Sequence, residues 1–283
     1  MLTRLSNSWE LLKSSLRVLQ ADKELVVFPI VSSIGVLLVT LSFALPLFFS
    51  NLIDSIFLRG RVEAFGFLVL FLFYVVQYTV IFFANTALVG AALIRLRGGD
   101  PTISDGMRIA ASRIGPILGY ALIAATVGMI LRALSQKRNG LGRLIVSLIG
   151  FAWNVATYLV VPVLAVENIG PLEAIKRSAE LLKRTWGEQI AGNLGLGAVF
   201  TLVYLGAVVL FIPVIIFALN AQSAVVIMTA AVLFIMVFSL IGLLQSTLEG
   251  IYTAAVYQYA TTGEVGAFFN ERMVRSAFAP AAA

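Results

Sequence analysis

Six long apolar runs constrain the fold of this chain more than any other feature. A helix needs about 20 predominantly apolar residues to cross the hydrocarbon core of a bilayer, where it satisfies its own backbone hydrogen bonds. We therefore predict an all-α polytopic transmembrane bundle of six spans, which forms a single membrane domain. The runs cover residues 25–49, 65–94, 115–134, 144–166, 190–219 and 224–258 of the 283 residues.

The composition agrees with this prediction and excludes several kinds of active site. Only 12% of the residues are charged, whereas soluble domains carry about 25%. Cys and His are both absent, which excludes thiol nucleophiles, disulfide frameworks, His- or Cys-based zinc sites and Ser/His/Asp catalysis. No P-loop or dinucleotide-binding glycine motif is present. We expect no enzymatic activity, no catalytic or metal-binding residues and no cofactor.

The distribution of basic residues orients the spans. Fourteen Lys and Arg residues lie in the N-terminal leader, the second and fourth connections and the tail, against six in the other connections. Because basic loops stay in the cytoplasm, we expect both termini to be cytoplasmic in a plasma (inner) membrane. The connection at 135–143 disagrees, since it places Lys137 and Arg138 on the opposite side. The net charge of +6 then indicates anionic lipid as a partner, and not nucleic acid.

Three amphipathic segments lie on this cytoplasmic side, each just before a pair of spans. In the leader, apolar residues recur at steps of three and four over residues 2–19, which is the spacing of one helical face. A second segment follows Asp100 and Pro101, which are predicted as its N-cap and first helical residue. A third begins at Pro171. The chain thus divides into three loose repeats and a short cytoplasmic tail, at 1–94, 95–167, 168–262 and 263–283.

Two interpretations of these segments remain open. They either complete the bundle as connectors, which is the simpler interpretation, or bind anionic lipid headgroups or a protein partner. The predicted apolar stripe of the third segment is Leu172, Ile175, Ala179, Leu182 and Trp186. The basic candidates for headgroup or partner contact are Lys13, Arg17, Lys176, Arg177, Lys183 and Arg184.

Few polar side chains lie within the spans, and these are the candidates for a site inside the membrane. Glu249 comes closest to an intramembrane ionisable residue, which is a functional candidate by default. It lies roughly 40 Å from the start of its helix, beyond a hydrocarbon core of about 30 Å. An interfacial carboxylate paired with a basic residue is therefore the simpler interpretation, and interhelical hydrogen bonds would explain the others. The set is Gln77, Asn85, Asn154, Gln245 and Glu249.

Three functions are compatible with these patterns. The amphipathic segments and the scarcity of charge in the spans favour a non-enzymatic scaffold or accessory subunit that binds lipid or other membrane proteins. The alternative is a small-solute or ion transporter or channel, with a cavity lined by the polar candidates, because Pro162 and Pro213 can break helices. A lipid-modifying enzyme that uses Glu249 and Asp54 is disfavoured, since these acids lie on predicted opposite sides of the membrane.

Several stretches, taken in order, resemble a known family. They are Ser8-Trp9-Glu10-Leu11, Asp22-Lys23-Glu24-Leu25, Phe28-Pro29, Gly170-Pro171-Leu172-Glu173-Ala174-Ile175 and Tyr257-Gln258-Tyr259-Ala260-Thr261-Thr262-Gly263. Together they resemble an uncharacterised family of prokaryotic six-span membrane proteins, described as domain of unknown function 6159. The resemblance covers most of the chain and implies a prokaryotic plasma membrane. It implies no activity and supplies no catalytic residues.

Overall fold

All regular structure in the described part of the chain is helical. The computed structural model describes residues 2–49, 64–136, 141–186, 196–264, 266–270 and 274. The helices are α1 (Leu2–Ala21), α2 (Val27–Phe49), α3 (Ala64–Leu96), α4 (Ile103–Ser112), α5 (Ile114–Gln136), α6 (Leu141–Ala156), α7 (Val160–Val166), α8 (Pro171–Trp186), α9 (Gly197–Asn220) and α10 (Ala224–Thr262), with a 3-10 turn at Lys23–Val26.

Within these described residues, six segments are long and apolar enough to cross a membrane. They are Lys23–Phe49, Phe65–Leu96, Ile114–Ser135, Gly142–Val166, Val199–Asn220 and Ala224–Thr262. The predicted all-α bundle with six spans is therefore confirmed. The start of the predicted fifth span at 190–195 and the basic loop residues Lys137 and Arg138 lie outside the described residues. The division into three repeats stays a prediction.

The short helices α1, α4 and α8 pack at one end of the bundle, which we call the helix-capped end. Here α1 packs on α10 and α9, α4 packs on α3, and α8 packs on α7, α6, α10 and α5. The buried core lies at this end, where the spans contribute the first residues of α2 and α5, the last of α3 and α10, and α7. Toward the other end the spans expose mostly apolar side chains, as helices in contact with lipid do.

The buried face of α8 differs from the predicted stripe. Ala174, Ser178 and Leu181 are buried, whereas Leu172 is 64% exposed. The stripe residue Leu182 is buried as predicted, and the Trp186 side chain lies outside the described residues. The buried face differs because the small side chains of Ala174 and Ser178 let α8 approach the backbone of the fourth span closely. Leu172 is left at the edge of the bundle.

The same rotation is seen in α1. Its buried side includes Leu11, Ser15 and Val18, while Trp9 of the predicted stripe is 48% exposed. Only part of the predicted stripe is therefore buried: its C-terminal residue Leu19 lies in the core, whereas Trp9 does not. A half-exposed Trp on an amphipathic helix is typical of a side chain in the membrane interface.

The N-terminus of α4 is capped by Thr102. The Thr102 hydroxyl accepts a hydrogen bond from the Asp105 N–H at 3.2 Å, and the Asp105 carboxylate accepts one from the Thr102 N–H at 3.0 Å. The prediction of Asp100 as N-cap and Pro101 as first helical residue is wrong, because this capping box satisfies the helix end and Asp100 pairs with Arg95 instead. Hydrogen bonds from Thr102 hold the pKa of Asp105 below its ordinary value.

The fourth span is broken between α6 and α7, over residues 157–159. Pro162 lacks the N–H that would bond the carbonyl of Tyr158 in a continuous helix, which explains the position of the break. The buried N–H of Leu159 donates instead to the Ser178 hydroxyl of α8, at 2.9 Å. By contrast, Pro213 lies inside the uninterrupted helix α9. The break is thus supported from outside the span, as an unsatisfied buried N–H would be costly.

Candidate functional site

A polar cavity lies next to this break, between α3, α7 and α10. Its volume is about 290 Å³. Its polar lining is Asn85 from α3, Tyr158 from the break, and Gln245, Ser246, Glu249 and Thr253 from α10. On α10, Gln245, Glu249 and Thr253 follow one another at steps of four, and Ser246 precedes Glu249 by three, so all four share one helical face. Three of the five predicted candidates, Asn85, Gln245 and Glu249, are therefore brought together.

The approach of α3 to α10 closes one end of the cavity. A Cβ atom at Gly250 would lie 2.9 Å from Cγ of Leu88, so a larger residue here would require the buried Leu88 side chain or one of the helices to shift. The remaining apolar lining consists of Val89, Val161, Gly242 and Gly250. The cavity is therefore lined by both polar and apolar residues, and the polar side chains come from α3, the break in the fourth span and α10.

Glu249 is the acidic group of the cavity, and no basic residue in the described part of the chain pairs with it. Its Oε1 accepts a hydrogen bond from Nε2 of Gln245 at 2.8 Å. Within the part of the chain that the structure describes, no Lys or Arg forms an ion pair with this carboxylate. The expected pairing with a basic residue is thus not found there.

Other acidic residues at the helix-capped end do have basic partners. Asp22 lies 3.5 Å from the Arg95 guanidinium. Glu167 accepts hydrogen bonds from Nε of Arg177 and from the hydroxyl of Tyr257, both at 3.1 Å. Asp22 and Glu167 thus each have an Arg partner, whereas Glu249 has no Lys or Arg partner among the described residues.

The cavity lies in the half of the spans nearer the helix-capped end, and it reaches the middle of α10 at Gly242. Tyr158, Asn85 and Glu249 lie eight, eleven and thirteen residues from the ends of their spans. At 1.5 Å per residue, these residues lie roughly 12–20 Å inside the spans. The interfacial depth of Glu249 stays a prediction.

The break gives the two halves of the fourth span different neighbours. After the break, α7 packs against α3, α8 and α10, whereas α6 packs mainly against α5 and α8. Asn85, Gln245 and Glu249 are only half-buried, so part of the polar lining remains accessible.

The other two predicted candidates lie elsewhere. Gln77 faces α2, where its Nε2 lies 3.5 Å from the Thr40 hydroxyl, and Asn154 is exposed on α6. The sequence prediction missed Tyr158 and Ser246 as lining residues. The signal for Tyr158 was Pro162 four residues later, because a proline at that spacing releases the backbone of Tyr158 from the helix.

The basic candidates of α8 surround a second, shallower cavity of about 470 Å³, lined by Arg177, Glu180, Leu181, Lys183 and Arg184. Arg184 donates to the Ala260 carbonyl at 3.3 Å, where a cation favourably meets the C-terminal end of α10. Lys176 and Lys183 are exposed. This face of α8 therefore has an excess of basic residues, and one of them, Arg184, also binds α8 to the end of α10.

The basic candidates of α1 are held by local contacts. Nζ of Lys13 pairs with the Glu10 carboxylate at 2.9 Å and lies 5.9 Å from the centre of the Trp9 ring. Arg17 donates to the Ser14 hydroxyl at 3.0 Å. These contacts leave both cations at the surface of α1, with Lys13 beside the half-exposed Trp9.

No curated protein and no solved structure matches this chain. A family model matches residues 64–268, a region that runs from α3 through the end of α10 and includes the polar cavity, the broken fourth span and α8. The chain therefore belongs to the family of unknown function DUF6159.

Proposed function

We propose that this protein is a non-enzymatic scaffold or accessory subunit of a prokaryotic plasma membrane, which binds anionic lipid headgroups at its helix-capped end. In this proposal both termini and the helices α1, α4 and α8 face the cytoplasm, where anionic lipids attract basic segments. The observation that carries the proposal is the placement of α8, whose basic surface lies beside exposed apolar residues at the edge of the bundle.

The contacts of α8 support its position in the membrane interface. Its first residue, Pro171, lies on Gly119 of α5, where a Cβ atom would meet Pro171 Cγ at 2.8 Å. Leu172 is exposed beside it, as are Ile114 and Leu118 on α5. An amphipathic helix with apolar residues in the acyl boundary and basic residues toward the headgroups binds anionic membranes in this way.

The cavity on α8 gives this surface a place for a phosphate group. Three cations and one acid line it, so its net charge favours an anion. The Arg177 guanidinium is oriented by Glu167, and Lys183 is exposed beside it. Both side chains can donate hydrogen bonds to phosphate oxygens, and a lipid phosphate would place its acyl chains toward Leu172.

The position of the polar groups favours a binding protein over a transporter. A pathway across the bilayer would need the polar lining of the cavity to continue toward the other end of the spans. On α3 the next polar candidate, Gln77, turns to α2 instead. On α10 the hydroxyl of Thr229 donates to its own helix, at Val225 O. These contacts support the scaffold as the first proposal.

We expect cysteine labelling to report the proposed orientation, since the chain has no natural Cys. A cysteine introduced as Ser112→Cys, at the exposed end of α4, should react with a membrane-impermeant maleimide only after cells are permeabilised. The matched variant Ala221→Cys, in the exposed turn between α9 and α10, should react in intact cells. The reverse pattern would place the helix-capped end outside and contradict the proposal.

We expect the Lys183→Gln variant to bind anionic lipid about fivefold more weakly, because each basic residue near the surface contributes about 1 kcal/mol. The measurement is native mass spectrometry of the full chain with phosphatidylglycerol and phosphatidylcholine in competition. The matched control is Arg108→Gln, which removes one cation from the same end, where it pairs with Asp105.

Equal losses in the two variants would attribute lipid binding to net charge alone and contradict a site on α8. An unchanged preference in Lys183→Gln would also contradict it. If an acidic protein, displaced by Lys183→Gln, co-purifies with the wild type while lipid binding is unchanged, the α8 surface binds that partner and not lipid.

A further inference from the structure

We propose that the cavity at the break of the fourth span binds the ammonium group of an amphiphilic amine that enters from the membrane. The first argument is charge. Glu249 is the one acidic residue that lies more than two residues inside a span of the described chain. A carboxylate removed from water is costly unless a cation or a proton neutralises it. No described Lys or Arg supplies that cation.

The second argument is the balance of donors and acceptors. The amide N–H of Gln245 is used by Glu249, and the Thr253 hydroxyl donates to the Glu249 backbone carbonyl at 2.7 Å. Tyr158 and Thr253 also share a hydrogen bond. These contacts occupy donors of Gln245 and Thr253, and within the described residues the one hydrogen bond to the Glu249 carboxylate is at Oε1, so Oε2 remains as an acceptor. A ligand rich in donors fits this surface, and an ammonium has three donors and no acceptor.

The third argument is the position and size of the cavity. It lies within the spans, and its lining residues Asn85, Gln245 and Glu249 are only half-buried. Its volume of about 290 Å³ is at the lower limit for small-molecule sites, roughly 300 Å³, so it accepts a headgroup and not an acyl chain. An apolar tail would lie among the apolar side chains that the spans expose.

An anionic ligand does not fit this cavity, because it would meet the Glu249 carboxylate with no cation from the described residues beside it. The same ammonium chemistry can come from two sources, the headgroup of an aminophospholipid or a free long-chain amine. The cavity shares no lining residue with the α8 surface. Failure of either proposal therefore leaves the other in place.

The test compares Glu249→Gln with the wild-type full chain in phosphatidylcholine nanodiscs. The probes are dodecylammonium, measured by equilibrium dialysis against empty nanodiscs, and phosphatidylethanolamine, measured by native mass spectrometry. Gln keeps the size of the side chain and its contact to Gln245 but removes the charge. We expect binding to weaken roughly tenfold, as for the loss of one charge-assisted hydrogen bond. The matched control, Glu264→Gln, changes an exposed acid beyond the end of α10 and should bind as the wild type does.

Each outcome decides the proposal. A loss for dodecylammonium alone identifies a free amine as the ligand, and a loss for phosphatidylethanolamine alone identifies the lipid; both support the ammonium site. Equal binding by Glu249→Gln and the wild type would overturn it, since Gln imitates a protonated Glu249. Absence of binding to the wild type would overturn it as well, as would a co-purifying polypeptide that Glu249→Gln releases and dodecylammonium does not displace.

A second variant keeps the test independent of the folding of Glu249→Gln. Thr253→Val has nearly the same shape as the wild-type side chain but removes one hydroxyl acceptor from the cavity lining. We expect it to weaken dodecylammonium binding several-fold, as for one neutral hydrogen bond. Binding that is unchanged in Thr253→Val, in a variant that elutes as the wild type does, would contradict the acceptor lining argued above.

Discussion

Replacing Arg95 with Met is expected to lower the free energy of unfolding by about 3–5 kcal/mol. Arg95 lies at the end of α3, and its guanidinium pairs with Asp22 at 3.5 Å and with Asp100. The Asp22 side chain is only 4% exposed. Removal of Arg95 leaves this carboxylate buried without its cation, which costs far more than the loss of an exposed ion pair. Equilibrium unfolding by SDS in mixed micelles measures the difference.

The variant Arg108→Met provides the matched control. Arg108 pairs with Asp105, but its side chain is 77% exposed, so its loss should cost less than about 1 kcal/mol. The double variant Arg95→Met/Asp22→Asn removes both charges of the buried pair and should recover part of the lost stability. Equal effects of Arg95→Met and Arg108→Met would contradict the assigned role of burial.

The pH dependence of Arg95→Met follows from the same pair. Burial raises the pKa of Asp22 above its ordinary value even though Arg95 opposes this shift. Without Arg95 that opposition is lost, so the pKa of Asp22 should rise further. An acid with a raised pKa in the folded state binds its proton more tightly when folded, and stability falls as pH rises through this range. The variant should therefore regain stability, relative to the wild type, as pH is lowered.

The six spans were predictable because hydrophobic length decides them, and all six appear in the described chain. The grouping of Gln245 and Glu249 was also predictable, since residues four apart lie on one face of any helix. Their meeting with Asn85 was not. It depends on the lateral fit of α3 to α10 at Leu88 and Gly250, which is a contact between residues far apart in the sequence.

The break in the fourth span shows why periodicity gave an incomplete account of the site. Pro162 was visible in the sequence, but Pro213 was equally visible and lies in an unbroken helix. The difference is a tertiary contact, since Ser178 of α8 satisfies the N–H that the break releases at Leu159. The same contact rotates α8 away from its predicted stripe. Local sequence therefore marks where a helix can break, and packing decides whether it does.

Replacing Gly106 with Leu is expected to destabilise the protein by about 3 kcal/mol. Gly106 lies in α4, where a Cβ atom would overlap the Phe28 ring and lie 2.8 Å from the carbonyl oxygen of Ala87. Phe28 is fully buried, and the Ala87 carbonyl belongs to the backbone of α3, so neither can move aside easily. The helix α4 must shift outward instead, away from the Glu24 carboxylate that accepts the Ile103 N–H at 3.1 Å.

The same substitution at Gly115 separates this steric effect from the general effect of a larger side chain. A Cβ atom at Gly115 has no neighbour within 4 Å, so Gly115→Leu should change stability by less than about 1 kcal/mol and can be favourable, since Leu is the better helix former. SDS unfolding of the two variants side by side measures the difference. If Gly106→Leu were as stable as Gly115→Leu, α4 would not be packed directly on α3, and the helix-capped end would lack the contact that fixes one of its three short helices.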